Sequence, residues 1–263
     1  MVARRGDLTY IGGESHAMLP SDIDNRRSTH GGLDTAAVRR VQESILVHGF
    51  AQVADRELGL PRDFRRKLSE AYFNNQVLRS DVPDLPVDRK RARDVIYYEW
   101  DTPGLRLGEY EDIRIKDRGD IPGERQHFRV LLLENDYARA WVAACLSLIP
   151  ARMRRDQGTF GVNLFRTYTN VVTRPHQDNE EFIIIYVLDK VGGGAKSYLY
   201  SADNPEKRIF HRTLRPGEIL IFKDSDFLHG ATPLKPRPNQ DAQRDAMICT
   251  VDYPSTYLES KQG

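Results

Sequence analysis

The second half of the chain is built from short stretches with high strand propensity, each followed by turn residues. From Gly158 onward, β-branched and aromatic residues cluster in seven segments, and glycine-rich or proline-containing turns such as Gly192-Gly193-Gly194 and Arg215-Pro216-Gly217 separate them. The segments are residues 161–169, 182–188, 197–201, 208–214, 218–222, 227–232 and 244–253. Strands this short and this regularly spaced are typical of a closed or two-layered antiparallel architecture. The uninterrupted apolar run at 182–188 predicts a strand buried on both faces.

The first half has helical signals instead. Asp34 is predicted to be the N-cap of a helix that extends to about His48, and Gly49 is predicted to end this helix. Further helices are predicted at residues 61–78 and 136–149, with a short strand at 50–53 between the first two. The predicted fold class is therefore α+β: a double-stranded β-helix, the cupin-like jelly roll, with buttressing N-terminal helices.

Domain organisation follows from the same patterns. Residues 1–33 contain two glycine pairs and no sustained period, which predicts a flexible N-terminal arm or lid. Residues 34–263 are expected to form a single jelly-roll domain with a helical first half. Residues 79–128 are polar and proline-containing, and we interpret them as an insertion. Its basic run at 89–93 is surrounded by aspartates and is predicted to be a solvated loop rather than a nucleic-acid patch.

Two imidazoles and a carboxylate stand out as possible metal ligands. His176 and Asp178 are two residues apart and precede the most apolar predicted strand, and His229 lies in a later one. Residues two apart on extended backbone project to the same side, so His176 and Asp178 can converge on one ion while Gln177 points away. Two histidines and one carboxylate are the facial triad of mononuclear non-haem iron sites, which leave coordination positions open. His-x-Asp alone arises readily by chance in a chain with seven histidines, so the surrounding pattern carries the prediction.

The last predicted strand carries a possible anion site. By strand parity Arg244, Ala246, Ile248 and Thr250 share one face, which combines a cation and a hydroxyl with apolar residues. An arginine fork binds a carboxylate through two parallel charge-assisted hydrogen bonds. The alternative for Arg244 is an ordinary ion pair with a neighbouring aspartate.

The composition limits the kinds of binding partner and the cellular location that we expect. The formal net charge of +1 gives no overall electrostatic reason to expect nucleic acid or an anionic membrane. The two cysteines are too few for a disulfide framework, and no apolar run is long enough for a signal peptide or a membrane span. We expect a soluble cytoplasmic protein that acts on a small molecule, without nucleic-acid or membrane partners. The sequence does not determine the oligomeric state.

The order of the motifs resembles that of a known enzyme family. The motifs are His176-x-Asp178, Gly192-Gly193-Gly194, Pro216-Gly217-Glu218, His229-Gly230-x-x-Pro233 and Arg244-Asp245. This order is similar to that of the Fe(II)/2-oxoglutarate-dependent dioxygenases, and most to the bacterial isoleucine-dioxygenase-like group, which hydroxylates free amino acids. The resemblance implies that His176, Asp178 and His229 bind Fe(II), and that Arg244 holds the distal carboxylate of 2-oxoglutarate. Thr250 shares the face of Arg244 by strand parity, so its hydroxyl is predicted to contact the same carboxylate. Asn179 departs from the pattern, since a glycine is expected after His-x-Asp.

Substrate contacts are the least constrained part of the prediction. Asn179 and Glu181 follow the His-x-Asp pair, and a carboxylate there is suited to an amino-acid ammonium; exposed loop residues are the equally acceptable alternative. Arg166 and Tyr168 share a face of the preceding strand and are candidates for binding a carboxylate. A cross-strand ion pair is the alternative for Arg166.

The function implied by the resemblance is hydroxylation of an unactivated C–H bond with release of succinate and CO2. Fe(II), 2-oxoglutarate and O2 are the implied cofactor and cosubstrates, and a free amino acid or an amino-acid-derived natural-product intermediate is the implied substrate. Desaturation, epoxidation or cyclisation of a small peptide or diketopiperazine remains open, as do a nucleobase or protein substrate and a non-catalytic cupin-like binding module. Asp178 argues against a halogenase, which needs an open position in place of the carboxylate.

Overall fold

A computed structural model describes residues 32–80, 89–101, 104–109, 129–168 and 173–251. The predicted N-terminal arm lies outside these ranges except for residues 32 and 33, and so does most of the predicted insertion. No helix within the described ranges is both long and apolar enough to cross a membrane.

Three α-helices occur among the described residues, all before residue 149. They are α1 (Thr35–His48), α2 (Phe64–Tyr72) and α3 (Asp136–Leu148). Asp34 Oδ1 accepts a hydrogen bond of 2.8 Å from Ala37 N, and Gly49 adopts a left-handed φ of 77°. The predicted start and end of α1 are therefore confirmed, and each cap satisfies backbone groups that a helix end leaves without partners.

The predicted bounds of α2, residues 61–78, were too wide. The helix ends at Tyr72 because the Asn74 side chain organises the following turn. Asn74 Oδ1 accepts hydrogen bonds from Gln76 N and Val77 N, and Asn74 Nδ2 donates to Ala71 O. Asparagine side chains compete in this way with the helical backbone ladder.

The described residues contain thirteen strands. They are β1 (Phe50–Ala54), β2 (Arg89–Trp100), β3 (Leu105–Glu109), β4 (Gln157–Thr167), β5 (Thr173–His176), β6 (Phe182–Val191), β7 (Gly193–Gly194), β8 (Lys196–Ser201), β9 (Arg208–Thr213), β10 (Glu218–Lys223), β11 (Phe227–Ala231), β12 (Leu234–Lys235) and β13 (Gln243–Val251). Each of the seven strands predicted in the second half is present, within a few residues of its predicted bounds.

The strands form a large sheet, a smaller one and a two-stranded ribbon. The large sheet has the order β1-β10-β6-β13-β4-β2-β3, the small sheet the order β5-β11-β8-β9, and β12 pairs with β7. All of these pairings are antiparallel. This is the expected α+β architecture, a jelly-roll β-sandwich with helices packed against one sheet.

β6 shows how one strand contributes to two cores. Ile184 and Tyr186 belong to the core shared with the helices, where the Tyr186 ring stacks on Trp141 with centroids 4.4 Å apart. Ile183 and Ile185 belong instead to the second core, which includes Leu199 and Phe227 of the small sheet. Successive side chains of a strand point to opposite faces, so a strand covered on both sides is apolar at every position. The predicted doubly buried strand is confirmed.

The prediction of a solvated loop for the basic run at 89–93 was wrong. These residues begin β2, which pairs with β4 from Arg89↔Thr167 to Glu99↔Gln157. Successive side chains of β2 point to opposite faces of the sheet, and its charged groups have polar contacts there. Arg91 is only 8% exposed, and the fully buried Asp94 accepts a hydrogen bond of 2.9 Å from Leu132 N. A strand can therefore contain many charged residues when each charged group faces a polar cavity or water, or forms a hydrogen bond inside the protein.

The two glycines of β7 differ in how strictly the β7–β12 ribbon requires them. Gly194 has a φ of 67°, and a Cβ added there would lie 2.0 Å from Pro233 O. The adjacent Gly193 has ordinary backbone geometry, and an added Cβ would meet nothing nearer than Lys235 O at 3.9 Å. Within β7, Gly194 therefore requires the absence of a side chain and Gly193 does not; Gly192, just before the strand, requires it too, since a Cβ there would lie 2.6 Å from Lys235 O.

Gly194→Ala is expected to lower the free energy of unfolding by more than about 2 kcal/mol, because left-handed alanine costs about 1 kcal/mol and the clash adds to it. Urea denaturation monitored by circular dichroism measures the effect. Gly193→Ala is the matched control and should change stability by less than about 1 kcal/mol. Equal losses in the two variants would contradict this explanation.

Candidate active site

The structure brings the two predicted imidazoles and the carboxylate together. His176 ends β5 and is the direct cross-strand partner of His229 in β11, with ring centroids 4.4 Å apart. Asp178 lies just beyond β5, with its two carboxylate oxygens each 3.5 Å from one histidine Nε2. One donor atom from each residue falls within 4.8 Å of the others. The spacing is that of groups that can share one ion.

Electrostatics at this cluster favour a cation. Burial alone would raise the pKa of Asp178, but His229, His176 and Arg93 outweigh it and lower that pKa, so the carboxylate is ionised. Burial opposes protonation of His229, yet the carboxylates of Asp178 and Asp224 outweigh this effect and raise its pKa to about 9. The two carboxylates thus hold a proton on His229, and a divalent cation bound there would supply the positive charge in its place.

A buried carboxylate supports the cluster from behind. Asp224 is fully buried; its Oδ1 lies 3.3 Å from His229 Nδ1, and its Oδ2 accepts hydrogen bonds from Asp178 N at 2.9 Å and from Glu180 N at 3.2 Å. On the other histidine, His176 Nδ1 donates to Arg174 O at 2.8 Å. His176 Nδ1 is thus hydrogen-bonded and His229 Nδ1 is in ion-pair contact with Asp224, and each Nε2 lies 3.5 Å from a carboxylate oxygen of Asp178. Sequence reasoning missed Asp224, whose only signal was an aspartate five residues before the distal histidine.

A cavity of about 350 Å³ adjoins the three residues. Both sheets and the ribbon contribute to its wall. The lining residues are Arg89, Arg91, Asn163, Phe165, Thr167, His176, Asp178, Ile183, Ile185, Ala195, His229, Gly230, Thr232, Leu234, Arg244, Ile248 and Thr250. The cluster therefore lies at a cavity that is open to solvent on the side of His176 and Asp178, whose side chains are 39% and 41% exposed.

Arg244 and Thr250 of β13 line this cavity, as strand parity predicted. Arg244 Nε and Nη2 and Thr250 Oγ1 are buried and form no hydrogen bond with any residue that the structure describes. Burial lowers the pKa of Arg244 to about 10, still far above neutrality, so the guanidinium remains charged. A buried cation and hydroxyl facing a cavity are complementary to an anionic ligand. Ala246 is buried but is not part of the wall.

Arg166 and Tyr168 do not line the cavity. Arg166 Nη2 lies 2.7 Å from Asp245 Oδ2 and donates to Phe73 O at 2.8 Å. Asp245 is also its direct cross-strand partner, so the alternative of a cross-strand ion pair describes Arg166. Arg166 and Tyr168 do share one face of the strand, as predicted, but the cavity lies on the other face, which carries the odd-numbered residues of β4.

Asn179 and Glu181 also lie away from the wall. Glu181 forms an ion pair with Arg155 at the surface. Asn179 is exposed and has a φ of 60°, a conformation that glycine adopts freely and asparagine adopts more readily than other residues. Asn179 therefore adopts the left-handed backbone conformation for which a glycine is expected after His-x-Asp.

Sequence reasoning also missed Arg89 and Arg91, which enter the cavity from β2. The signal was present as a period of two: arginines at 89, 91 and 93 alternate with Lys90 and Ala92. The alternation indicates a strand with one basic face, but charge density made the run look like a loop.

Comparisons with known proteins agree with this geometry. Residues 115–250, just over half of the chain, match the family model of the 2OG-Fe dioxygenases. A comparison with curated protein sequences gives no match.

Solved structures share the fold at low identity. A BsmA homologue from Methylobium petroleophilum superposes with a TM-score of 0.67 at 19% identity, covering 82% of this chain and 92% of the other. IDO from Bacillus thuringiensis gives 0.65 at 17% identity, covering 82% and 99%. The Fe(II)/α-ketoglutarate-dependent dioxygenase TqaL gives 0.61 at 16% identity, covering 83% and 88%. At these identities the likeness establishes the fold.

The matched segment includes the His-Asp-His cluster and the buried arginine that faces the same cavity. The chain belongs to the 2OG-Fe dioxygenase family and is an oxygenase that uses Fe(II), 2-oxoglutarate and O2.

Proposed function

We propose that this enzyme hydroxylates an unactivated C–H bond of a small molecule, a free amino acid or an amino-acid-derived natural-product intermediate, and releases succinate and CO2. One observation carries the proposal. The His-Asp-His cluster and the buried, charged Arg244 line the same cavity, so a cation and a dicarboxylate can be bound side by side.

The residues present fit the family's cofactor and cosubstrate. His176, Asp178 and His229 would hold Fe(II), and three protein ligands leave half of an octahedral sphere for other ligands. Arg244 and Thr250 would receive the distal carboxylate of 2-oxoglutarate, for which they have three buried donor atoms without partners among the described residues. The bound iron and 2-oxoglutarate supply the oxidising power for C–H cleavage by O2.

The chain itself selects and shields the substrate. Phe165, Ile183, Ile185, Leu234 and Ile248 give the cavity an apolar wall that excludes water and packs against carbon. The cavity volume of about 350 Å³ is at the small end for ligand sites, which favours a molecule of amino-acid size over a peptide. Cys145 and Cys249 are free and buried, in keeping with a cytoplasmic enzyme.

The second candidate is the same oxidation with a different outcome. Desaturation and cyclisation start with removal of a substrate hydrogen, and epoxidation of an alkene uses the same oxidant, so the residues described above serve all three reactions equally. Asp178 occupies the position that a halogenase leaves open, so chlorination is disfavoured. Product mass distinguishes hydroxylation or epoxidation, with a gain of one oxygen, from desaturation or cyclisation, with a loss of two hydrogens, and an NMR spectrum of the product separates an alcohol from an epoxide.

Replacing a proposed iron ligand should abolish turnover. Asp178→Ala or His229→Ala is expected to weaken Mn(II) binding by on the order of 100-fold or more and to eliminate the O2-dependent formation of succinate. Titration calorimetry under nitrogen measures binding, and mass spectrometry measures succinate. An Asp178→Ala enzyme that binds metal normally and turns over would refute the assignment.

Arg244→Ala should affect the cosubstrate and spare the metal. The KM for 2-oxoglutarate is expected to rise by on the order of 100-fold, because a buried charge-assisted contact is lost, while Mn(II) affinity stays within about twofold of the wild type. Succinate formation at varied 2-oxoglutarate concentration gives the KM. An unchanged KM would remove Arg244 from the proposed site.

Asp224 should act on the metal through the residues it holds. Asp224→Asn preserves volume but removes the charge beside His229 Nδ1, so Mn(II) affinity is expected to fall about 10- to 100-fold. Asp226→Asn is the matched control, because Asp226 is exposed and pairs with Lys223 at 3.0 Å. If both variants bind Mn(II) equally well, Asp224 has no positioning role.

A further inference from the structure

An alanine in the cavity wall has a left-handed backbone. Ala195, which joins β7 to β8, has a φ of 48°, is 5% exposed and lines the cavity. The other non-glycine residues with positive φ in the described ranges are Asn179 and Asn239, both exposed asparagines, which adopt this conformation more readily. Left-handed alanine is strained by its Cβ, and glycine would remove the strain. A strained residue at a functional cavity points to a use for its side chain.

The side chain of Ala195 lies at the Arg244 end of the cavity. It belongs to a small apolar cluster with Leu234 and Ala242. Leu234 also lines the cavity, and Ala242 precedes Arg244 by two residues. The methyl group of Ala195 is therefore close to the start of the strand from which the Arg244 guanidinium extends.

Hydrogen bonds hold the backbone on both sides of Ala195. Ala195 N donates to Pro233 O at 2.9 Å, and the preceding Gly194 O accepts a hydrogen bond of 2.8 Å from Lys190 Nζ. Lys190 is the direct cross-strand partner of Arg244, so the ribbon is fastened to the large sheet beside the guanidinium. A ligand that presses on Ala195 can move it only by breaking these hydrogen bonds. This part of the wall therefore yields little.

The proposed function holds the cosubstrate at both of its ends. The 2-oxo acid end is assigned to the His-Asp-His cluster, and the distal carboxylate to Arg244, whose Nε and Nη2 are buried without a hydrogen bond to any described residue. A methylene group added between two fixed ends must take its volume from the wall. One methylene group that a close-packed pocket cannot hold lowers affinity by about 10- to 200-fold.

We propose that the methyl group of Ala195 limits the length of the dicarboxylate that the cavity accepts, so that 2-oxoglutarate binds and 2-oxoadipate, which has one more methylene group, is excluded. The inference rests on the proposed function, which places the distal carboxylate at Arg244, and deepens it by naming a residue that determines cosubstrate selectivity. Ala195 acts by occupying volume. The alternative is that its methyl group only fills the cluster with Leu234 and Ala242, and then it stabilises the fold without affecting selectivity.

The test measures binding of 2-oxoglutarate and 2-oxoadipate to the protein loaded with Mn(II) under nitrogen, where no turnover occurs. Titration calorimetry gives the two dissociation constants, and their ratio is the selectivity. The wild type is expected to bind 2-oxoglutarate at least about tenfold more tightly than 2-oxoadipate, because the longer acid must displace a wall that yields little.

Ala195→Gly removes one methyl group, which is close in volume to the added methylene group. This variant is expected to bind 2-oxoadipate at least about fivefold more tightly than the wild type does, while its affinity for 2-oxoglutarate stays within about threefold. Glycine adopts a φ of 48° without strain, so the variant should fold. Asn239→Gly is the matched control, because it also places glycine at a left-handed position, but in an exposed turn outside the cavity lining. It should keep the selectivity of the wild type.

The outcomes separate this inference from the proposed function. If the Mn(II)-loaded wild type does not bind 2-oxoglutarate, the proposed function fails and the length limit fails with it. If 2-oxoglutarate binds but the wild type accepts 2-oxoadipate equally well, or if Ala195→Gly has the same selectivity as Asn239→Gly, the length limit alone is refuted. A lower Tm of Ala195→Gly with unchanged selectivity would identify the packing role instead.

Discussion

The contacts of one buried carboxylate hold the His-Asp-His cluster in shape. Asp224 touches the distal histidine with one oxygen and holds the backbone after the proximal histidine with the other, so two distant segments are fixed to a single group. The three side chains come from a strand, a loop and a second strand, which would otherwise move independently. A fully desolvated acid is costly, and here its cost is offset by two backbone donors and an imidazole.

The large sheet forms much of the remaining cavity wall, because three of its neighbouring strands present side chains to the same face. β2, β4 and β13 are neighbours in the large sheet, and each contributes alternate residues to one face. The opposite residues of β4 and β13 face the helices, where Phe160, Val162, Met247 and Cys249 are fully buried. A rigid apolar layer behind the sheet thus keeps the polar groups in front of it in place.

Sequence patterns predicted those parts of the molecule that local chemistry determines. The N-cap at Asp34, the doubly apolar β6 and the convergence of His176, Asp178 and His229 all follow from spacing and side-chain type. Alternation along a strand, however, shows only which residues share a face. Which of the two faces lines the cavity is determined by tertiary packing. That is why Arg166 faces Asp245 while Arg244 faces the cavity. Residues 95–100 of β2 have strand-like side chains, but its basic start at 89–93 was interpreted as a loop for a related reason, since the alternation of its charges has a meaning only once one face lines a cavity.

The two sheets reach the cavity with different kinds of side chain. Arg244 extends from β13 of the large sheet, whereas His176 and His229 extend from the paired strands β5 and β11 of the small sheet. The guanidinium and the imidazoles are therefore held by separate hydrogen-bonded ladders, and the distance between them is set by how the two layers of the sandwich pack.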